Sequence, residues 1–154
     1  MRLYLVRHGK ALPNQTDSIR PLSEVGIKQT QHIAALLGSS GLIKVPRIYH
    51  SAYLRSKQTA EIFASHLTPT PALELMENIT PYDSPEPCLN ILNNLKEDTI
   101  LVGHQPHLSI IALMLLTPEE SNMEILFDYT TVICLQKIAP EKWCIAPLFT
   151  FNTP

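Results

Sequence analysis

Cysteine, charge and long apolar runs are all scarce in this chain, and each shortage closes off a class of protein. Three cysteines in 154 residues (Cys88, Cys134 and Cys144) make an odd set with no CxxC pair. A disulfide framework is therefore not expected, and a metal knuckle would lack ligands at the right spacing. Cys134 lies in an apolar strand-like run and reads as a buried, inert thiol. Charged residues amount to 17%, the formal net charge is −2, and lysines and arginines nowhere form a block. That argues against a nucleic-acid or membrane-surface footprint. The longest strongly apolar stretch, 108–116, is interrupted by Ser109 and falls far short of the ~20 residues that span a bilayer. The first residues open directly into Leu3-Tyr4-Leu5-Val6, with no basic segment followed by an apolar one. The cytoplasm is the expected compartment. What is present, 45% hydrophobic residues over 154 positions, predicts one globular domain spanning 1–154, with a monomer favoured.

Short β-rich runs alternate with longer helical patterns, the mark of a three-layer α/β protein with a mainly parallel central sheet. Strands are expected at 2–6, 47–50 and 99–102. Ser23 is placed to cap a helix running to Gly38, and further helices are expected at 53–67, 86–96 and 107–116. The proline-rich stretch 68–87 reads as a surface connection. Two last strands, 130–137 and 144–151, joined through Ala139-Pro140-Glu141-Lys142, predict an antiparallel edge near the C-terminus.

Three strand-to-helix junctions carry the chemistry. The first strand ends in Arg7-His8-Gly9, the second in His50-Ser51 with Arg55 in the next helix's first turn, and the third in Gly103-His104-Gln105-Pro106. In an open parallel sheet such junctions share the carboxyl edge, where ligands bind. Two histidines and two arginines thus converge on one patch, with no carboxylate at any of the three points. Guanidinium forks match phosphate oxygens, helix N-termini add N–H donors, and a neutral imidazole among cations is a nucleophile. The inventory points to transfer of a phosphoryl group to histidine and then to water. Each residue alone has an ordinary explanation: a histidine ending a strand is commonly structural, and a helical arginine is commonly solvated. Their joint placement outweighs these. His32, His50, His66 and His107 lack that support, and His32 and His66 read as helix-surface residues. With no His or Cys pair at metal-ligand spacing, neither a metal nor a cofactor is expected.

Leu5-Val6-Arg7-His8-Gly9, Ser51-Ala52-Tyr53-Leu54-Arg55-Ser56-Lys57-Gln58-Thr59-Ala60 and Val102-Gly103-His104 resemble, in order, the three motifs of the histidine phosphatase superfamily, also called the phosphoglycerate mutase-like fold. Arg20-Pro21-Leu22-Ser23-x-x-Gly26 and Thr80-Pro81 are similar to segments of a compact branch, the SixA-type phosphohistidine phosphatases. The resemblance covers roughly residues 2–150. It implies that His8 accepts the phosphoryl group, that His104 stabilises it in transfer, and that Arg7 and Arg55 clamp its oxygens. It places Arg20 at the pocket mouth and Asn14 at a position where some members contact phosphate.

Two departures bear on the substrate. Lys10 stands where many members have an acidic or amide residue, and Asn78 where enzymes with alcohol leaving groups have an acid. Glu77 and Asp83 are the nearest other acids. An alkoxide leaves poorly without a general acid, whereas imidazole, with a reference pKa of about 6.5, needs less help. A short connection at 68–87 also leaves the pocket without an inserted lid, open to a side chain on another protein. The expectation is a metal-independent phosphohistidine phosphatase acting on a partner protein. The resemblance implies a partner such as the histidine phosphotransfer domain of a sensor-kinase relay. The alternatives are a phosphatase of small phosphomonoesters with Glu77 or Asp83 as acid, and a non-catalytic phosphoprotein-binding module.

Overall fold

The computed structural model describes residues 1–13, 16–116 and 124–148. Six strands form one mixed sheet: β1 (Arg2–Arg7), β2 (Arg47–His50), β3 (Ala72–Leu75), β4 (Thr99–Gly103), β5 (Val132–Ala139) and β6 (Lys142–Ile145), in the spatial order β3-β2-β4-β1-β5-β6. β1 to β4 are mutually parallel, while β5 and β6 run antiparallel at one edge. Helices α1 (Glu24–Ser39), α2 (Leu54–His66), α3 (Pro85–Asn94) and α4 (His107–Leu116) complete the three layers.

Side-chain alternation along the buried strands divides the core. Tyr4 and Val6 of β1, with Ile100 and Val102 of β4, meet Ala34 and Leu37 of α1 and Ala60 and Phe63 of α2. Leu3, Leu5 and Leu101 face the other way, onto Cys88 and Leu92 of α3 and Leu108, Ile111 and Leu115 of α4. Ser23 caps α1 as its sequence position predicts, its Oγ accepting from Gly26 N at 3.0 Å. Gly26 itself permits a close approach, because a Cβ there would lie 2.1 Å from the Lys10 carbonyl oxygen. Cys88 and Cys134 are buried free thiols and Cys144 is half-buried.

Two expectations need correction. The stretch 68–87 is not connection alone, because Ala72–Leu75 pairs with β2 as a parallel edge strand. Its flanking prolines mask a four-residue strand whose Leu73 and Leu75 stay exposed, so no buried period marks it. The last strand lies at Lys142–Ile145, earlier than 144–151, since the tight turn at Pro140 and Glu141 (φ 53°) brings the chain straight back onto β5. The remainder of that expected strand, from 149 on, lies outside the described residues. Among the described residues no helix is long and apolar enough to cross a membrane.

Candidate active site

Strand register brings the three junctions level. Arg7 pairs with Gly103 and His50 with Val102, so β1, β2 and β4 end within a residue of one another. The His8 N–H then donates to the Gly103 carbonyl at 3.1 Å, tying the first junction to the third. Gly9 must be glycine, since a Cβ would lie 2.5 Å from Thr30 Oγ1 and 3.1 Å from the Gly26 carbonyl. A cleft of about 190 Å³ opens here, with Arg7, His8, Arg55 and His104 at its base and Arg20 also in its wall. Two larger hollows, about 540 and 430 Å³, contain none of these five residues, although the second shares Tyr129 with the cleft.

His8 is buried, and its two ring nitrogens are distinguished by their neighbours. Nδ1 lies 2.7 Å from the Gly9 carbonyl oxygen, which only accepts, so Nδ1 carries the proton. Nε2 keeps its lone pair and receives Arg55 Nε–H at 3.1 Å. Burial, reinforced by Arg55, Arg7 and Arg20, lowers the imidazole pKa to about 4, leaving it neutral at pH 7. The His104 ring lies 4.9 Å from it, centroid to centroid. Ser51 is fully buried; its Oγ accepts Tyr53 N–H at 3.2 Å, and among the described residues the acceptor its own proton finds is His104 Nε2 at 2.5 Å. That selects the Nδ1–H tautomer of His104, whose Nδ1 is buried with no protein partner. Burial, and then His8 and Arg55, pull the His104 pKa down to about 2. Arg7 Nη1 donates to the Phe127 carbonyl at 2.8 Å and the guanidinium packs 4.2 Å from the Tyr129 ring centroid, while its Nε–H is buried and unpaired. A lone pair faced by unspent cationic and neutral donors is what an incoming phosphoryl group requires.

The match to known proteins agrees with this geometry. The family model of the histidine phosphatase superfamily (branch 1) matches residues 3–80. The chain belongs to the histidine phosphatase superfamily. Over 82 residues it is 30% identical to phosphohistidine phosphatase SixA of Escherichia coli (strain K12), a match covering 53% of this chain and about half of that relative's length. Its fold is shared with the protein histidine phosphatase SixA complexed with tungstate, at TM-score 0.86 and 20% identity over 95% of this chain and 94% of the other. It is shared also with phosphoserine phosphatase from Entamoeba histolytica in complex with 3-phosphoglyceric acid, at TM-score 0.63 and 18% identity over 88% and 90%.

The family's second motif divides between chemistry and scaffolding. Arg55 faces the cleft, whereas Gln58 Oε1 accepts Leu22 N–H at 2.8 Å and Thr59 Oγ1 accepts Gly9 N–H at 3.0 Å. Ser56 Oγ bridges Ser51 N–H (3.1 Å) and the Val102 carbonyl (2.8 Å). The motif thereby locks the loop after β1 and the end of β4 onto α2.

A carboxylate does reach this edge, by a route the three junctions do not reveal. Asp17, on a 3₁₀ turn (Asp17–Ile19), lines the cleft. Its Oδ1 lies 2.6 Å from Arg20 Nη2 and its Oδ2 3.3 Å from Arg55 Nη2, while its backbone carbonyl accepts Arg55 Nη1 at 2.6 Å. Burial alone would raise this carboxyl, but Arg20 and Arg55 outweigh it and hold it below the usual value. Its sequence signal is the neighbouring Arg20 at i+3. Gln105, Tyr129, Pro81 and Tyr82 complete the walls; Gln105 belongs to the third junction and Pro81 to the Thr80-Pro81 segment, while nothing in the sequence marks Tyr82 or Tyr129.

Other candidates stand apart from the cleft. Glu77 and Asn78 are exposed, and Asn78 takes φ 58°, the left-handed conformation that asparagine tolerates in a turn. The Asp83 carboxylate accepts the Thr80 N–H at 2.7 Å and does not line the cleft. Lys10 is exposed and adds no charge to the lining; its carbonyl accepts Ser23 N–H at 2.8 Å. Asn14 lies outside the described residues. His50 and His107 are buried and His32 is exposed, but His66 is half-buried, its Nδ1 contacting the Ile62 carbonyl at 2.8 Å, so it is no free surface residue. Among the described residues no group of three His, Cys, Asp or Glu side chains is placed to hold a metal ion.

The two low imidazole pKa values set a pH signature. An unfolded chain protonates both rings below about 6.5, while the folded protein resists until about 4 at His8 and about 2 at His104. Protons bind the unfolded state preferentially, so stability falls as pH drops from 6.5 towards 4. Urea midpoints measured across that window should decline in the wild type and decline less in His104→Asn. Parallel declines would show that the ring is not shielded.

Proposed function

We propose that the protein is a phosphohistidine phosphatase working through a phosphorylated His8, on a histidine carried by a partner protein. One observation carries the choice of leaving group: among the described residues Asp17 is the only carboxylate lining the cleft, and two arginines keep it ionised. It has no proton to give at neutral pH, so a leaving group that needs one is disfavoured. The Escherichia coli relative is a phosphohistidine phosphatase, which supports this reading.

The chemistry follows from the donors present. His8 Nε2 forms a bond to phosphorus as the substrate's phosphorus–nitrogen bond breaks, and the departing imidazole takes its proton from solvent. Arg55 Nε–H, which holds Nε2 at rest, turns to a phosphoryl oxygen, beside Arg7 Nε–H and His104 Nδ1–H. The Gly9 carbonyl retains the Nδ1 proton of His8 and steadies the cationic ring while it bears phosphate. Water then attacks phosphorus on the opposite side, the bond to Nε2 breaks, and inorganic phosphate leaves with the water's oxygen. Arg20, half-buried at the mouth, releases Asp17 to meet the phosphate or the incoming protein. The same reading makes the enzyme metal-independent, because arginines neutralise the developing charge. It also favours a histidine phosphotransfer domain of a signalling relay as the partner and the cytoplasm as the place of action.

Paired assays on phosphohistidine and on alkyl phosphates test the assignment. A general acid contributes on the order of 100-fold or more, so kcat/KM for phosphohistidine should exceed that for sugar phosphates by about that factor. Glu77→Gln should leave phosphohistidine turnover within about twofold. Faster hydrolysis of alkyl phosphates, with loss in Glu77→Gln, would instead establish a small-molecule phosphatase.

A further inference from the structure

Tyr82 stands 90% exposed in the wall of the cleft, and among the described residues no hydrogen bond, ion pair or ring contact engages it. Its neighbours are arranged to hold it there. Ile79 is buried in the core beside α3 and α4, and Pro81 is buried as well. Just before them Asn78 turns the chain at φ 58°, and just after them the Asp83 carboxylate clamps Thr80 N–H at 2.7 Å. The Asp83 N–H returns to the Thr80 carbonyl at 3.4 Å, and α3 begins two residues later at Pro85. A closed turn over Thr80–Asp83, anchored by buried Ile79 and Pro81, thus lifts the one large aromatic ring that follows them into solvent at the mouth. The other mouth aromatic, Tyr129, is spent on the Arg7 guanidinium. Tyrosine buries much area at little entropic cost and is enriched among residues that dominate protein interfaces.

We infer that Tyr82 is a docking contact for the protein that carries the phosphorylated histidine, and that Asp83 is the positioning residue that holds the turn presenting it. The inference rests on the function proposed above and adds to it a surface that reads the carrier rather than the phosphoryl group. A free phosphorylated amino acid fills the 190 Å³ cleft but has little body to cover a ring at the rim. A folded carrier must pass this ring to bring its side chain to His8.

The test is the ratio of two kcat/KM values, one for a phosphotransfer domain phosphorylated on histidine with phosphoramidate, the other for free phosphohistidine. Tyr82→Ala should lower that ratio about tenfold, the scale of an interface hot spot, and Tyr82→Phe should restore most of it. Asp83→Ala should move the ratio the same way, through the turn. An unchanged ratio in Tyr82→Ala overturns the inference. A common fall on both substrates also overturns it, and would mean the ring stacks on the leaving imidazole. If Asp83→Ala slows both equally, Asp83 serves the chemistry and the positioning role fails. Wild-type protein that releases phosphate from neither substrate would remove the underlying function itself, an outcome distinct from the others.

Discussion

Replacing His8 by alanine should abolish turnover, with a loss on the order of 10⁴-fold or more, as expected when a nucleophile is removed from a set of groups acting together. The expectation comes from one atom. Nε2 of His8 is the ring nitrogen that carries the lone pair, because Nδ1 is committed to the Gly9 carbonyl at 2.7 Å. The same commitment selects the chemical isomer of the intermediate. Wild-type enzyme quenched in base during turnover should carry phosphate on Nε2 of His8, stable to base and labile to acid. Affinity for inorganic phosphate should survive in His8→Ala to within about tenfold, since Arg7, Arg55 and His104 remain as donors. Phosphate found on a serine, or alanine variants retaining more than a few per cent of the wild-type rate, would remove His8 from this role.

How much of this is legible in the sequence differs from residue to residue, for physical reasons. The junctions after β1, β2 and β4 are readable because buried parallel strands are short apolar runs, and their carboxyl ends share one edge whatever the loop lengths. Arg7, His8, Arg55 and His104 follow directly from that rule, and the register of Arg7 with Gly103 is its expression here. β3 escapes because an edge strand buries little: Leu73 and Leu75 are exposed, and prolines precede the run. Asp17 escapes for a different reason. It arrives on an irregular loop closed by Leu12 N–H to the Pro21 carbonyl at 2.9 Å and by an isolated bridge between Ala11 and Leu22. No periodicity announces such a loop, and its approach to Arg55 exists only once tertiary contacts form. Glu77 and Asp83 show the converse, since both lie near Asn78 along the chain yet neither lines the cleft. A left-handed residue at Asn78 turns the backbone between them, and Asp83 serves that turn.

Arg55→Ala should cost about 10³-fold in kcat/KM, and Arg55→Lys should recover little of it. Removing a single preorganised donor typically costs 10²–10³-fold, and Arg55 holds three positions at once. Its Nε meets His8 Nε2 at 3.1 Å, Nη1 the Asp17 carbonyl at 2.6 Å, and Nη2 the Asp17 carboxylate at 3.3 Å. A lysine ammonium is a point charge that cannot span three partners on a rigid fork. The substitution also acts through pH, with a sign fixed by electrostatics. Arg55 is the largest of the charges that disfavour protonation of His8, so removing it raises the imidazole pKa from about 4 towards its ordinary value. The acidic limb of kcat/KM should accordingly move to higher pH in Arg55→Ala. It should move further down, or stay, in Asp17→Asn, where the cation remains and its counter-charge is lost. Asp17→Asn also frees Arg55 and Arg20 from a competing anion, so phosphate should bind this variant more tightly than wild type. Calorimetric titration with inorganic phosphate, beside pH–rate profiles for both variants, separates the two effects. An acidic limb that fails to shift in Arg55→Ala, or phosphate affinity that falls in Asp17→Asn, would mean that Asp17 serves the bound phosphate instead of competing with it for the arginines.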